Sequence, residues 1–207
     1  MRALLGLVVI SIAAQGAVVI DRIAVVVNRH PVKSSDIERD IRLTDFLNRV
    51  PFRLDAAAEK AAEERLIDQQ IIRQEISSGG YTRATDADAE ALLDQIRRDR
   101  FGGSDARLRA GLIPYGLTED QLRAQLLWQL TVLRFINDRF RTGVLISDED
   151  VQKYYDEHRA SFREPLAQAS ASIRSTLEGN QVTQQFESWL TDERKRTAIE
   201  YKTGAIQ

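Results

Sequence analysis

The residues in this chain whose types and spacing could do chemistry are few. His30 and His158 are its two histidines, and neither stands with a Ser and an acid in a pattern that marks a nucleophilic triad. His30 falls in the turn 28–31 and His158 at a charged helix end, so both read as surface histidines. Cys is absent, which removes thiol nucleophiles, disulfides and the common zinc sites. Asp148, Glu149 and Asp150 are three consecutive acids. Directly after Ser147 they make a helix start that the helix dipole stabilises, and they need no metal to explain them. Gly79-Gly80 and Gly102-Gly103 lack the glycine spacing and the Lys that cradle a phosphate. The chemistry that remains is contact chemistry. Phe101, Leu112, Ile113 and Tyr115 lie between and beside glycine breaks, and an apolar aromatic loop of that kind presents adaptable surface. The same four side chains could instead close the core.

The elements that must position these residues follow from periodicity. Residues 118–141 carry Leu122, Leu126, Leu130, Leu133 and Phe140 at helical spacing, with Trp128, Val132 and Phe135 as a second apolar row. A helix apolar on two sides belongs inside a bundle. Thr118 with Gln121 three residues on forms a capping box at its start. Before it, Ser35 with Glu38 is expected to open a first helix that ends by Pro51. Asp55 caps a second helix that runs to Gly79-Gly80, and Thr85 with Asp88 opens a third. A short helical turn is expected over 106–110. After the central helix, Ser147 caps a short helix through Tyr154 and Tyr155. A last long helix starts after Pro165, with Gly179 and Asn180 placed to bend or break it.

Strand signals are confined to the ends. Residues 20–27 are rich in β-branched side chains on both alternating faces, which suits a strand covered on both sides. The stretch around Val32 can run back beside it as an edge strand, where Pro31 is tolerated. Residues 198–202 read as a closing strand. The fold class is therefore mainly α, a helical bundle with a small β-sheet formed by the amino-terminal hairpin and the carboxy-terminal strand. The parts are 18–164, the amino-terminal helical part, and 165–207, a helix and strand that pack back on it.

Composition bounds the function. At 207 residues and 43% apolar content the chain can bury a core. A formal charge of −2 with acids and bases interspersed gives no basic stripe for nucleic acid. Residues 1–17 have Arg2, an apolar run from Ala3 to Ala14, and then Gln15, Gly16 and Ala17, the pattern of a secretory signal peptide. The apolar run is short for a membrane span, which needs about 20 residues, so no stable membrane insertion is expected once it is removed.

Three stretches together resemble the SurA-type periplasmic chaperones and related parvulin-containing foldases. The segment Asp21-Arg22-Ile23-Ala24-Val25-Val26-Val27-Asn28, followed by Ser35-Asp36, looks like that family's first strand, turn and helix. Residues 64–72, Glu-Arg-Leu-Ile-Asp-Gln-Gln-Ile-Ile, look like its second helix. The run from Ile146 to Val151, then Tyr154-Tyr155 and Phe162-Arg163-Glu164-Pro165, resembles the connector that in relatives leads into a parvulin domain. Here the chain passes from Pro165 straight into a segment, Phe186-Glu187-Ser188-Trp189-Leu190 and a strand, that is similar to the family's closing segment. The resemblance implies a chaperone core without the isomerase, needing no cofactor and no catalytic residue. Its activity would be ATP-independent holding of unfolded, outer-membrane-bound polypeptides in the periplasm, with Phe101, Leu112, Ile113 and Tyr115 as client contacts. Two other readings stay open: a prolyl isomerase or an accessory to a separate parvulin, and a structural subunit for one dedicated partner.

Overall fold

The computed structural model of the chain describes residues 21–202; the expected signal segment and the start of the 20–27 stretch lie outside these residues. The described elements are β1 (Ile23–Val27), β2 (His30–Lys33), α1 (Ser34–Asn48), α2 (Ala56–Ser78), α3 (Asp86–Phe101), α4 (Asp105–Leu112), α5 (Glu119–Ile136), α6 (Asp148–Glu157), α7 (Leu166–Arg196) and β3 (Ile199–Tyr201). The fold is mainly α with a three-stranded antiparallel sheet in the order β2-β1-β3. Pro31 sits on the edge strand β2, opposite Val26, where its missing N–H breaks no interior ladder.

The sheet takes the two ends of the described chain. Val25 and Val27 of β1 are fully buried; they pack with Ile37 and Ile41 of α1, and with Ala62, Ile67 and Ile71 of α2. Helix α2 continues away from the sheet, and its Ile72 and Ile76 enter a second cluster with Phe135, Phe140 and Val182. A third cluster joins Leu43 and Phe46 of α1 to Leu93, Leu108, Leu112, Leu122 and Leu126. Helix α6 lies on the first turns of α7, with Val151 and Tyr155 against Ala169 and Ile173.

Most caps follow the sequence rules. Asp55 accepts from the Ala58 N–H at 2.9 Å, and Thr85–Asp88, Thr118–Gln121 and Ser147–Asp150 close capping boxes. The first helix is the exception. It begins one residue before Ser35, and the Lys33 N–H donates to Asp36 at 3.1 Å. Ser35 bonds elsewhere. Its hydroxyl donates to Asp21 at 2.6 Å and its N–H to the same carboxylate at 3.1 Å, which ties the start of the described chain to α1.

Three further expectations are corrected. The central helix is α-helical only to Ile136 and ends in a π-helical stretch, Asn137–Arg141. An i to i+5 turn brings Phe140 round to the side of Phe135; both are buried, with ring centroids 5.8 Å apart. The buried row of α5 is accordingly Leu122, Leu126, Thr131 and Phe135, while Leu133 is 54% exposed. The expected turn over 106–110 is a full helix, α4, capped by Ser104. Helix α7 runs unbroken through Gly179 and Asn180. Nothing there forces a bend, since a Cβ at Gly179 would meet no atom within 4 Å, and the two halves are held by different partners. The first half packs on α6, and the second brings Phe186 and Trp189 onto Phe140.

Candidate functional site

A groove between α1, α2 and α5 has a volume of about 570 Å³. Helix α2 presents Leu66, Gln69, Gln70 and Arg73 to it, and α5 presents Gln121, Ala124, Gln125 and Trp128. Each set recurs at three- and four-residue spacing, so each is one stripe of its helix. Val32, Asp36, Arg39, Asp40 and Leu43 from β2 and α1, with Asp120 at the start of α5, complete the wall. A second cleft of about 420 Å³ shares Arg73, Ala124 and Trp128 with the first and continues along α2 and α5 to Ser77, Arg83, Ala84 and Thr131. The two form one trough. Where they meet, the Arg73 guanidinium carbon lies 3.8 Å from the centre of the Trp128 ring, a cation–π stack that spans α2 and α5.

The acids on the groove wall are each paired with an arginine. Asp40 is 7% exposed and accepts from Arg65 at 2.6 Å and from the Gln69 amide at 3.3 Å. Burial pushes its carboxyl above the usual range, against the pull of Arg65. Asp36 pairs with Arg39 at 3.0 Å and Asp120 with Arg123 at 2.5 Å. With these acids neutralised, the groove offers an aromatic face, short aliphatic side chains and carboxamides, which both donate and accept hydrogen bonds.

None of the four contact residues expected from sequence lines the trough. The structure brings Phe101 and Tyr115 together around Phe46: Phe101 is stacked at 6.3 Å and Tyr115 is edge-on at 5.4 Å. The Tyr115 hydroxyl donates to the Val50 carbonyl at 2.9 Å, and Arg42 donates to the Tyr115 carbonyl at 2.7 Å. Leu112 is 1% exposed and belongs to the core, so it has no free surface for a partner. Ile113 alone of the four stands out, at 74% exposure. The reason is local geometry: Leu112 ends α4 facing inward, and the 3-10 turn Ile113–Tyr115 rotates the next side chain to solvent.

Sequence reasoning missed the trough. Trp128 reads as one more apolar residue on the flank of a bundle helix, and Gln121 reads only as the capping-box partner of Thr118. The available signal was the placement of Gln69, Gln70, Gln121 and Gln125, uncharged polar residues on apolar stripes of two helices, where charged residues would otherwise mark the solvent side.

The other sequence candidates stay apart. His30 begins β2, its ring nitrogen 3.4 Å from the Gln74 amide. His158 ends α6 and stacks on Tyr154 at 4.1 Å. Asp148 is held by Arg174 at 2.6 Å, and Asp150 closes the α6 cap. Among the described residues no group of three or more His, Asp or Glu is arranged to hold a metal, and no helix is long and apolar enough to cross a membrane.

The sequence is similar to that of a chaperone, SurA of Chromobacterium violaceum. The two are 24% identical over 172 residues, a stretch that covers 80% of this chain. The chain spans 39% of the length of that relative. No family model matches it.

Proposed function

We propose that this chain is an ATP-independent holding chaperone of the bacterial periplasm, which keeps unfolded polypeptides, outer-membrane proteins among them, extended in the trough between α1, α2 and α5. The observation that carries this reading is the composition of the trough wall: Trp128, Leu66 and Ala124 beside the carboxamides of Gln69, Gln70, Gln121 and Gln125. An extended client exposes a backbone donor and acceptor at every residue and side chains on alternating sides. The Gln70 and Gln125 carboxamides can serve either backbone group, while Gln69, which donates to Asp40, offers its oxygen and Gln121, which caps α5, offers its N–H groups; an aromatic face accepts many apolar side chains. Such a wall binds without demanding one sequence. The similarity to the Chromobacterium chaperone supports the same reading, and the expected export signal at 1–17 fits the compartment. The function needs no isomerase step, and none is proposed.

The test is suppression of aggregation. Urea-unfolded outer-membrane β-barrel protein diluted into buffer without nucleotide should aggregate more slowly in the presence of near-stoichiometric chain, and Trp128→Ala should remove most of that effect. Full activity of the Trp128→Ala variant would move the binding surface elsewhere, and no suppression with any unfolded client would leave the dedicated-partner reading as the better one.

A further inference from the structure

The trough is not symmetric along its length. Its α1 end carries three acids, each matched by its own arginine. Its far end, the cleft beyond Trp128, has no acid in its wall and two arginines, Arg73 and Arg83. Among the described residues neither has a carboxylate within ion-pairing distance. Arg83 donates to the Ser77 hydroxyl at 3.1 Å, and Ser77 lies one helical turn after Arg73 on α2, so all three line the same cleft. This end is also bounded. The segment between α2 and α3 is pinned across α5, with the Ala84 N–H donating to the Thr131 hydroxyl at 3.2 Å and Arg134 to the Arg83 carbonyl at 2.9 Å. Burial in the cleft depresses the Arg73 guanidinium below its ordinary value, the mark of a cation that loses water without gaining a counter-charge.

Taking the trough as the polypeptide site proposed above, we infer that its far cleft receives the carboxy-terminal residue of the client, with the free carboxylate between Arg73 and Arg83 and a large apolar side chain against Trp128 and Leu127. A trough bounded at one end suits a chain that stops there. Two uncompensated cations beside an aromatic wall match a terminal residue that is anionic at its carboxylate and apolar in its side chain. An internal segment would bring an uncharged backbone to the same cations and would have to leave past the pinned loop.

The experiment uses the full chain and one fluorescent peptide of alternating polar and apolar residues ending in Phe, prepared in four forms. These are the free acid, the amide, the acid extended by three glycines beyond the Phe, and an amide with Glu in place of the last residue. The free acid should bind about tenfold tighter than the amide and the extended form, the scale of one charge-assisted contact. Arg83→Gln, on a loop, should bring the acid down to the affinity of the amide and leave the amide unchanged, and Arg73→Gln should do the same while weakening both slightly through the lost stack on Trp128. Acid and amide binding within twofold of each other, with both weakened by Trp128→Ala, would overturn the terminus inference and leave the holding function standing. The Glu-ended amide binding as tightly as the acid would also overturn it, since any carboxylate would then serve. Absence of binding by all four peptides would overturn this inference together with the trough as the polypeptide site.

Discussion

Val27 of β1 stands opposite Ile199 of β3, so a strand near the start of the described chain is completed by one at its end. The junction is reinforced on both sides: the Asn28 N–H donates to the Ala198 carbonyl at 2.7 Å, and the Lys202 N–H to the Ala24 carbonyl at 2.8 Å. Arg194, in the last turn of α7, adds ion pairs to Glu64 and Asp68 of α2. Deleting residues 197–207 removes the strand and its hydrogen bonds, each worth about 1 kcal/mol net, while keeping Arg194. The melting temperature should fall by roughly 5 to 10 °C for a chain of this size. A truncated chain that melts unchanged in calorimetry would show that β3 adds nothing to the fold.

Helix starts at Asp55, Thr85, Thr118 and Ser147 were legible in the sequence because a cap is a local device, a side chain bonded to a backbone N–H three residues away. The closing strand was legible because Ile199 and Tyr201 alternate beside a helix end. Ser35 misled because the nearby Asp21 takes its hydroxyl, a contact that only the folded chain provides. The π turn at Asn137–Arg141 and the continuity through Gly179 depend on Phe140 and on partners of α7 that are distant in sequence. The trough is least legible of all, since its wall is assembled from three helices whose individual stripes each look ordinary.

Ile113 and Tyr115 are adjacent but for Pro114, and they should answer differently to replacement. Ile113→Ser alters an exposed side chain and should change stability by no more than about 0.5 kcal/mol. Tyr115→Ser loses the bond to Val50 and the edge-on contact with Phe46, about 2 kcal/mol in all. Urea denaturation of the two single variants checks this. Loss of holding activity in Ile113→Ser, with melting unchanged, would show that this loop surface also touches clients.

Acid should weaken the fold through its caps. Asp88 is held below its ordinary value of 3.8, first by the Thr85 hydroxyl, then by the Thr85 N–H and Arg134, and Asp150 is held down by Ser147 in the same way. For such groups the unfolded chain takes up a proton at higher pH than the folded chain does. Their contribution is therefore full above the ordinary value and is lost as pH falls through the folded one. Asp40 has the opposite sign, because burial raises it and the folded chain holds that proton more tightly. Stability followed by urea titration should fall between about pH 4 and pH 2, the window below the ordinary carboxylate value. A variant with Asp88→Asn and Asp150→Asn should start lower and lose less over that window. An equal slope in the variant and the parent would mean that other carboxylates govern the acid limb.

Trp128 and Phe135 lie two turns apart on α5 and should separate binding from folding. Phe135 is fully buried, with Tyr81, Phe140 and Trp189 rings 4.8 to 5.8 Å from it. Phe135→Ala leaves a cavity where α2, α5 and α7 meet, and should cost about 3 to 5 kcal/mol. Trp128 is half-buried and has one face on Arg73 and the trough, so Trp128→Ala should cost only about 1 to 2 kcal/mol. At a temperature where both variants are still folded by circular dichroism, Phe135→Ala should keep its aggregation suppression and Trp128→Ala should lose most of it. The reverse ranking, with holding lost in the core variant and kept in the trough variant, would mean that clients are bound by surface that opens when the bundle loosens, and that the trough is only the seam between α2 and α5.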